Sequence, residues 1–585
     1  MHMKSIFKKY RIFFAAAFLL ALFFCCRTLF PAFQLQHKGS ESFNNFISRL
    51  FADELTSNTM NLHFTLKDPS SIGIDSYEVT FGDFSTKSQK SSEKNLEHLQ
   101  KELSHYSYRA LDAQNKLTYK ILEDTLRRQR ALAEYPMYEE VVTPSNGVTS
   151  QLPILLAEYP FYRKQDVDDY LTLLAQMDTY FSNILSYEED KAKTGLFMSD
   201  KKCMKVIEGC EIFTQHPEDN FLLSTFSNRL DTLNLNDSEK EEYIAKNKQV
   251  IAEHVIPAYS EMISGLTKLL GCGRNDWGLC NYEDGKSYYE ALVAYNTGTD
   301  FTVDELFQQI ADARQEDVDI CTTILASNPK LASMDIKLDS QLTDENAMID
   351  HLKKAITKDF PKACDTTCEI THVDESLSEY LAPAFYITAP IDDYSTNRIY
   401  INNANNYTDL YYFTTLAHEG YPGHLYQTIQ SYDYGLPPIR SLFNYPAYTE
   451  GWATYVEMLA YYYAGLPENQ ASLLQHNQAA MLSLYASSDI GIHYYGWEKA
   501  DMQKFWKNFG IDDETAIDSI TDLVLEDPGN YLKYYVGYLQ FRQLRETCEK
   551  KYGDKFDASA FHEAILRTGP APFSIVEEQV KHALR

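Results

Sequence analysis

Two histidines flank a glutamate, a glycine pair and a proline in Leu416-Ala-His-Glu-Gly-Tyr-Pro-Gly-His-Leu-Tyr-Gln427. His418 and His424 offer neutral imidazoles. Zinc takes two of these together with one carboxylate and keeps a fourth position for water. Glu419, beside the first imidazole, is placed to accept a proton from that water as it attacks a carbonyl carbon. The familiar helical arrangement spaces its two histidines four apart, so that both leave one face. Here the spacing is six. Six residues turn an ideal helix by about 600°, or about 240° net, which is the wrong face. Pro422 cannot donate a backbone bond to the carbonyl of His418, and its ring clashes there. Gly420 and Gly423 tolerate unusual backbone angles. The helix is therefore expected to break between the histidines, and a two-residue loop-out returns His424 to the side of His418.

The third ligand is expected downstream, in Tyr448-Thr-Glu450-Gly-Trp-Ala-Thr-Tyr-Val-Glu457. Glu450 and Glu457 are seven apart and share a helix face. The assignment is His418, His424 and Glu450 as zinc ligands and Glu419 as general base. Glu457 serves as a carboxylate behind the ligands that orients one of the imidazoles.

Helices must carry these residues. Long stretches with apolar residues three and four apart read as helical over Tyr108–Tyr135, Ser238–Val255, Val303–Leu325, Ser472–Ser488 and Tyr538–Lys551. Thr408 is an N-cap for the helix that ends at His418 and Glu419. Strand signals are few: Tyr77–Phe81, and a hairpin of Phe385–Thr388 with Arg398–Asn402 across a turn-rich stretch. The second hairpin strand is expected to be an edge. An extended peptide would then add to it through the backbone of Arg398, Ile399, Tyr400 and Ile401. Arg440, Lys533 and Arg542 are candidates for holding a peptide carboxylate.

The two acidic and histidine-bearing motifs resemble the bacterial domain-of-unknown-function family 885. The likeness extends to Gly285-Lys-Ser-Tyr-Tyr289, Pro383-Ala-Phe-Tyr386, Asp489-Ile-Gly-Ile-His493-Tyr-Tyr-Gly-Trp497, Pro528-Gly529 and Tyr534-Tyr-Val-Gly537. That family looks like a distant branch of the helical zinc peptidases, the group of oligoendopeptidase F and angiotensin-converting enzyme. The resemblance implies a mainly α, two-lobed, clam-like fold with a deep central channel, and zinc-dependent peptide hydrolysis. Zinc peptidases also use a donor to the developing oxyanion. His493 and Tyr534 match family positions that could supply it, and Asp489 would orient His493 from one helical turn away.

The amino terminus differs from the rest. Lys4, Lys8, Lys9 and Arg11 precede an apolar run from Ile12 to Cys26, the pattern of a signal peptide or a short membrane anchor over residues 1–35. Either version exports the remainder, giving a secreted protein or one held on the outer face of the cell membrane. The body divides softly near residue 330 into a helical lobe over 36–330 and a catalytic lobe over 331–585, expected to form one compact unit. Eight cysteines lie beyond the apolar run. Export predicts disulfides in the local pairs Cys203/Cys210, Cys272/Cys280 and Cys364/Cys368, leaving Cys321 with Cys548.

The chain has 585 residues, with 53 basic against 83 acidic side chains and a net charge of −30. That charge argues against a nucleic-acid binder, which needs a basic footprint, and nothing calls for an obligate protein partner. The reading that fits best is an exported zinc peptidase acting on peptides. The same metal-activated water would serve a zinc hydrolase of another amide or ester. A binding protein that retains a metal is the reading from a different class, and it leaves Glu419 without a use. A serine hydrolase is disfavoured because no Gly-x-Ser-x-Gly elbow occurs.

Overall fold

The computed structural model describes residues 39–339, 341–342, 344–373, 383–402 and 408–585. The basic and apolar amino-terminal segment lies outside them. The described chain is mainly helical, with one three-stranded sheet.

The periodic segments fold as helices whose ends follow local chemistry. Tyr108–Tyr135 divides into a short 3-10 turn and a helix over Ala113–Ala133, capped by the Asp112 side chain, which accepts from the amide of Asn115. Thr302 and Glu305 form a reciprocal capping box at the start of Val303–Ser327. The 238–255 segment is α-helical over Asp237–Val250, widens to a π turn at Ile251–Val255 and continues as Ile256–Leu269. Pro257 explains the widening, because it has no N–H for the carbonyl of Glu253.

The expected strand at Tyr77–Phe81 is not one. Its backbone is used by a helix start instead: Thr59 donates its amide to Thr80 O at 2.9 Å, and Thr80 donates its own to Thr59 Oγ1 at 2.9 Å. The hairpin does form. β1 (Thr367–His372), β2 (Ala384–Ile387) and β3 (Thr396–Ile401) lie in the order β1-β3-β2. β3 pairs antiparallel with β2 and parallel with β1. β3 is therefore the central strand, and the expectation that Arg398–Ile401 forms a free edge is corrected. Both sides of its backbone are spent on neighbours, Ile399 and Ile401 are fully buried, and Arg398 pairs with Glu369 at 3.1 Å. Tyr400 donates its hydroxyl to Glu158. The edge next to the site helices is β2. Asn402 donates its amide to Pro383 O, so by antiparallel alternation the peptide groups of Ala384 and Tyr386 face away from β3.

The largest apolar core runs from Phe43 to Val580 and includes Phe413, Leu416, Trp452 and Phe541. A second core, with Tyr159, Tyr170, Phe181, Phe226 and Tyr259, fills the bundle between residues 142 and 270. A third surrounds Trp506.

The expected disulfides are also corrected: the eight described cysteines are free thiols. Cys203 and Cys210 lie on one helix, Asp200–Thr214. Seven residues at ~1.5 Å rise separate them by about 10 Å, beyond the ~7 Å a disulfide spans. Cys280 and Cys364 direct their sulfurs to Ile492 O and Gln430 Oε1. Cys368 belongs to β1, and Cys321 contacts Leu473 O while Cys548 is buried.

Candidate metal centre

Helix α1 (Asp409–Glu419) starts where the Thr408 hydroxyl accepts from the amide of Tyr411 at 3.2 Å. It stops at Gly420, and α2 begins at His424 and runs to Asp433. The break expected between the histidines is present. It contains a cis Tyr421–Pro422 peptide. Its tightest point is Gly423, where an added Cβ would lie 1.7 Å from the carbonyl oxygen of His418, so only glycine fits. The indole N–H of Trp452 donates to Pro422 O at 2.9 Å and the amide of Tyr426 donates to Gly420 O at 3.1 Å. These bonds fix the turn. The two imidazoles end with ring centroids 4.9 Å apart, at 81° to each other.

Helix α3 (Pro446–Tyr463) brings the carboxylates. Glu450 Oε2 lies 3.5 Å from His424 Nε2 and 3.8 Å from His418 Nε2. Donors about 2.0–2.2 Å from one tetrahedral ion stand roughly 3.3–3.6 Å apart; the His424–Glu450 separation falls in that range and the His418–Glu450 separation is 0.2 Å longer, so the donor types suit zinc and His418 and Glu450 would close slightly around it. Glu419 also lies close to both imidazoles. Its Oε1 is 3.9 Å from His418 Nε2, while its Oε2 accepts the amide of Tyr386 at 3.0 Å. Glu450 approaches both ring nitrogens more closely and is the better third donor. Glu419 is left between the donor set and the edge of β2. Behind them, His418 Nδ1–H donates to Glu457 Oε2 at 3.0 Å, which turns Nε2 towards Glu450.

Electrostatics follow from this crowding. Burial works against a charged His418, but Glu450 and Glu457 outweigh it and hold its pKa well above the ordinary value. Burial would raise Glu450, yet the two histidines pull it well below the carboxylate range. Burial raises Glu419, only partly offset by His424 and His418. A raised carboxylate pKa suits a group that must take up a proton.

Tyr534 lies on α5 (Asn530–Tyr552), which follows α4 (Glu468–Ile490) in this series. Its phenol is pushed well above its ordinary pKa by burial, then by the charges of Glu450 and Glu419, so it sits within their field. Lys533 stacks its ammonium over the Tyr534 ring at 5.3 Å. α5 reaches α3 through Gly537 and Gly451, whose backbones touch.

The structure does not bring His493 to the centre. Its Nδ1 accepts the amide of Leu279 at 3.2 Å and its Nε2 donates to Val524 O at 2.9 Å. Both ring nitrogens are consumed, and burial pushes its pKa down to about 4. Asp489 does not orient it either. That carboxylate accepts from the Tyr289 hydroxyl and, at 2.9 Å, from the amide of Gly529, the N-cap of α5. Its role is to seat the helix that carries Tyr534. Arg542 is paired with Asp317 at 2.9 Å and Glu546 at 2.8 Å, so it holds no substrate carboxylate. Arg440 is buried.

Two features lie inside the quoted motifs, yet their roles cannot be read from them. The Tyr386 amide that holds Glu419 is a backbone group with no side-chain signature. The Gly451–Gly537 contact joins residues far apart in the chain; each glycine stands in one of the quoted motifs, but nothing in the sequence pairs them.

The overall fold has solved counterparts. A structure titled as a "putative lipoprotein" from Colwellia psychrerythraea superposes with a TM-score of 0.81 at 20% identity, covering 93% of this chain and 99% of that one. A second, titled a "putative lipoprotein of unknown function" from Shewanella oneidensis, gives 0.63 at 15% identity, covering 91% and 98%. At such identities the likeness is one of fold. No curated protein matches the chain. Residues 68–580 match the family described as bacterial protein of unknown function (DUF885), and the chain belongs to that family.

Proposed function

We propose that the chain is an exported zinc peptidase of the two-lobed helical type, with its active centre at His418, His424 and Glu450. The observation that carries this reading is the convergence of two Nε2 atoms and one Oε2 at 3.5 and 3.8 Å, with Glu419 alongside. A binding site alone has no need of a buried carboxylate whose pKa is raised and whose second oxygen is anchored to a strand edge. The basic and apolar start of the chain and the description of the two similar structures as lipoproteins support export and attachment to the outer face of a membrane. Among the described residues no helix is long and apolar enough to cross one.

Zinc, when bound, supplies a Lewis acid for the substrate carbonyl and an acidified water. Glu419 receives the proton of the attacking water on Oε1 and passes it to the leaving amine, while Tyr386 N–H keeps the carboxylate aimed. Tyr534 donates its hydroxyl to the oxygen that becomes negative. Glu457 keeps His418 in the tautomer that leaves Nε2 unprotonated. The outward peptide group of Ala384 and the outward carbonyl of Tyr386, whose N–H is held by Glu419, offer an extended peptide the strand edge that β3 does not.

The test is metal content together with turnover. Purified full-length chain should carry one zinc per molecule and cut peptides in a mixture. His424→Ala and Glu450→Ala should lose both properties. Zinc retained in both variants would refute the ligand assignment.

A further inference from the structure

Arg440 lies in the short turn Pro438–Leu442 that leads into α3. It is 1% exposed, and among the described residues none of its three guanidinium nitrogens has a hydrogen-bond partner. Other buried arginines here are provided for. Arg128 reaches Asp124 at 2.6 Å and Thr299 O at 2.8 Å, Arg314 bonds the Ser487 hydroxyl at 2.7 Å, and Arg542 has its carboxylates. A buried guanidinium without an anion is among the costlier features a fold can keep. The groups that act on its charge are the phenols of Tyr448 and Tyr445, and burial lowers its pKa to about 10, so it stays positive at neutral pH.

Arg440 lines a cavity of about 440 Å³. Helices α2 and α3, which carry His424 and Glu450, contribute residues to its wall. Its wall includes Gln427, three residues after His424; Thr449, next to Glu450; and Thr388, one residue beyond β2. Asn444 and Pro570 also line it. Gly569 closes over the guanidinium, where an added Cβ would stand 3.4 Å from Nη2. A planar fork of donors matches a carboxylate with two parallel bonds. The net charge of −30 disfavours capture of a free anion from solution.

We propose that Arg440 is the specificity-determining residue of this cavity and receives a carboxylate of the peptide substrate, either its free C terminus or an acidic side chain next to the cleaved bond. The proposal rests on the peptidase reading above and deepens it.

The test uses zinc-loaded full-length chain and matched peptides. One pair differs only in a free or amidated C terminus. A second pair, amidated throughout, differs only in Glu or Gln beside the cleaved bond. Wild type should prefer the charged member of one pair by at least tenfold in kcat/KM, mainly through KM. Preference in the first pair identifies the C terminus as the source, and preference in the second identifies the side chain. Arg440→Met should treat both members alike, and Arg440→Lys should recover part of the preference. Equal treatment of both pairs by wild type, or an undiminished preference in Arg440→Met, would overturn the proposal. Equilibrium binding of the same peptides to Glu419→Gln separates this from failure of the peptidase reading. If wild type cuts nothing, tenfold tighter binding of a charged member, lost in Glu419→Gln/Arg440→Met, still supports Arg440, and equal binding of both members refutes it. A melting point is the control. Arg440→Met should melt no lower than wild type because it removes an unpaired buried charge, and a marked fall would assign Arg440 to structure and overturn the proposal.

Discussion

Gly451 and Gly537 meet backbone to backbone: a Cβ added to Gly451 would lie 2.3 Å from the Cα of Gly537. Gly451 follows the proposed ligand Glu450, and Gly537 lies one helical turn beyond Tyr534. The contact therefore sets the distance between the helix that carries Glu450 and the Tyr534 phenol. Gly451→Ala or Gly537→Ala should push α3 and α5 apart at a cost of about 1–3 kcal/mol. Thermal unfolding should show a lower melting temperature for each, and turnover should fall further than zinc content.

Tyr534→Phe removes the proposed donor to the oxyanion and little else. Loss of one such donor costs about 10²–10³ in kcat. The variant should show that loss with KM nearly unchanged and a full complement of zinc. A kcat within twofold of wild type would remove Tyr534 from the mechanism.

Glu457→Gln keeps shape but weakens the hold on His418 Nδ1. Disturbing such a partner typically costs about 10–100-fold in metal affinity. Competition with a coloured chelator should read that weakening, with peptide cleavage restored when zinc is added in excess.

His493 makes the pH prediction. Its ordinary pKa of 6.5 falls to about 4 in the fold because burial penalises its charged form. The folded state therefore binds fewer protons than the unfolded chain in this range. The stability His493 contributes is fully present above about pH 6.5 and is lost as pH falls towards 4, to the extent of about 3 kcal/mol. His493→Gln keeps an acceptor and a donor but does not titrate. The stability gap between wild type and this variant, followed by denaturant unfolding, should narrow over that window. The kcat of the folded variant should stay close to that of wild type.

Much of the centre was legible because its chemistry is local. The six-residue spacing, Pro422 and the flanking glycines dictate a break that returns His424 to His418, and the seven-residue spacing puts Glu450 and Glu457 on one face. Long-range pairing was less legible. Thr367–His372 is a short alternating segment whose partner lies about 30 residues on, so β3 read as an edge when β1 covers it. The cysteines followed a compartment rule, but Cys203 and Cys210 share a helix that keeps them apart. His493 and Asp489 sit one turn apart, and their partners, Val524 and Gly529, lie in segments that sequence spacing does not connect to them. Arg440 was legible as one of three basic candidates for a peptide carboxylate, with Lys533 and Arg542; its burial and lack of partners, which set it apart from the other two, need the three-dimensional fold.

The most direct test of the central claim compares wild type with Glu419→Gln. Both are loaded with zinc, the metal is quantified, and each is incubated with the same diverse peptide mixture, with products identified by mass spectrometry. The account predicts equal zinc in the two proteins and new peptide termini from wild type alone. Equal product formation by both would contradict the assignment of Glu419 as the base, and no products from zinc-bearing wild type would contradict the peptidase reading.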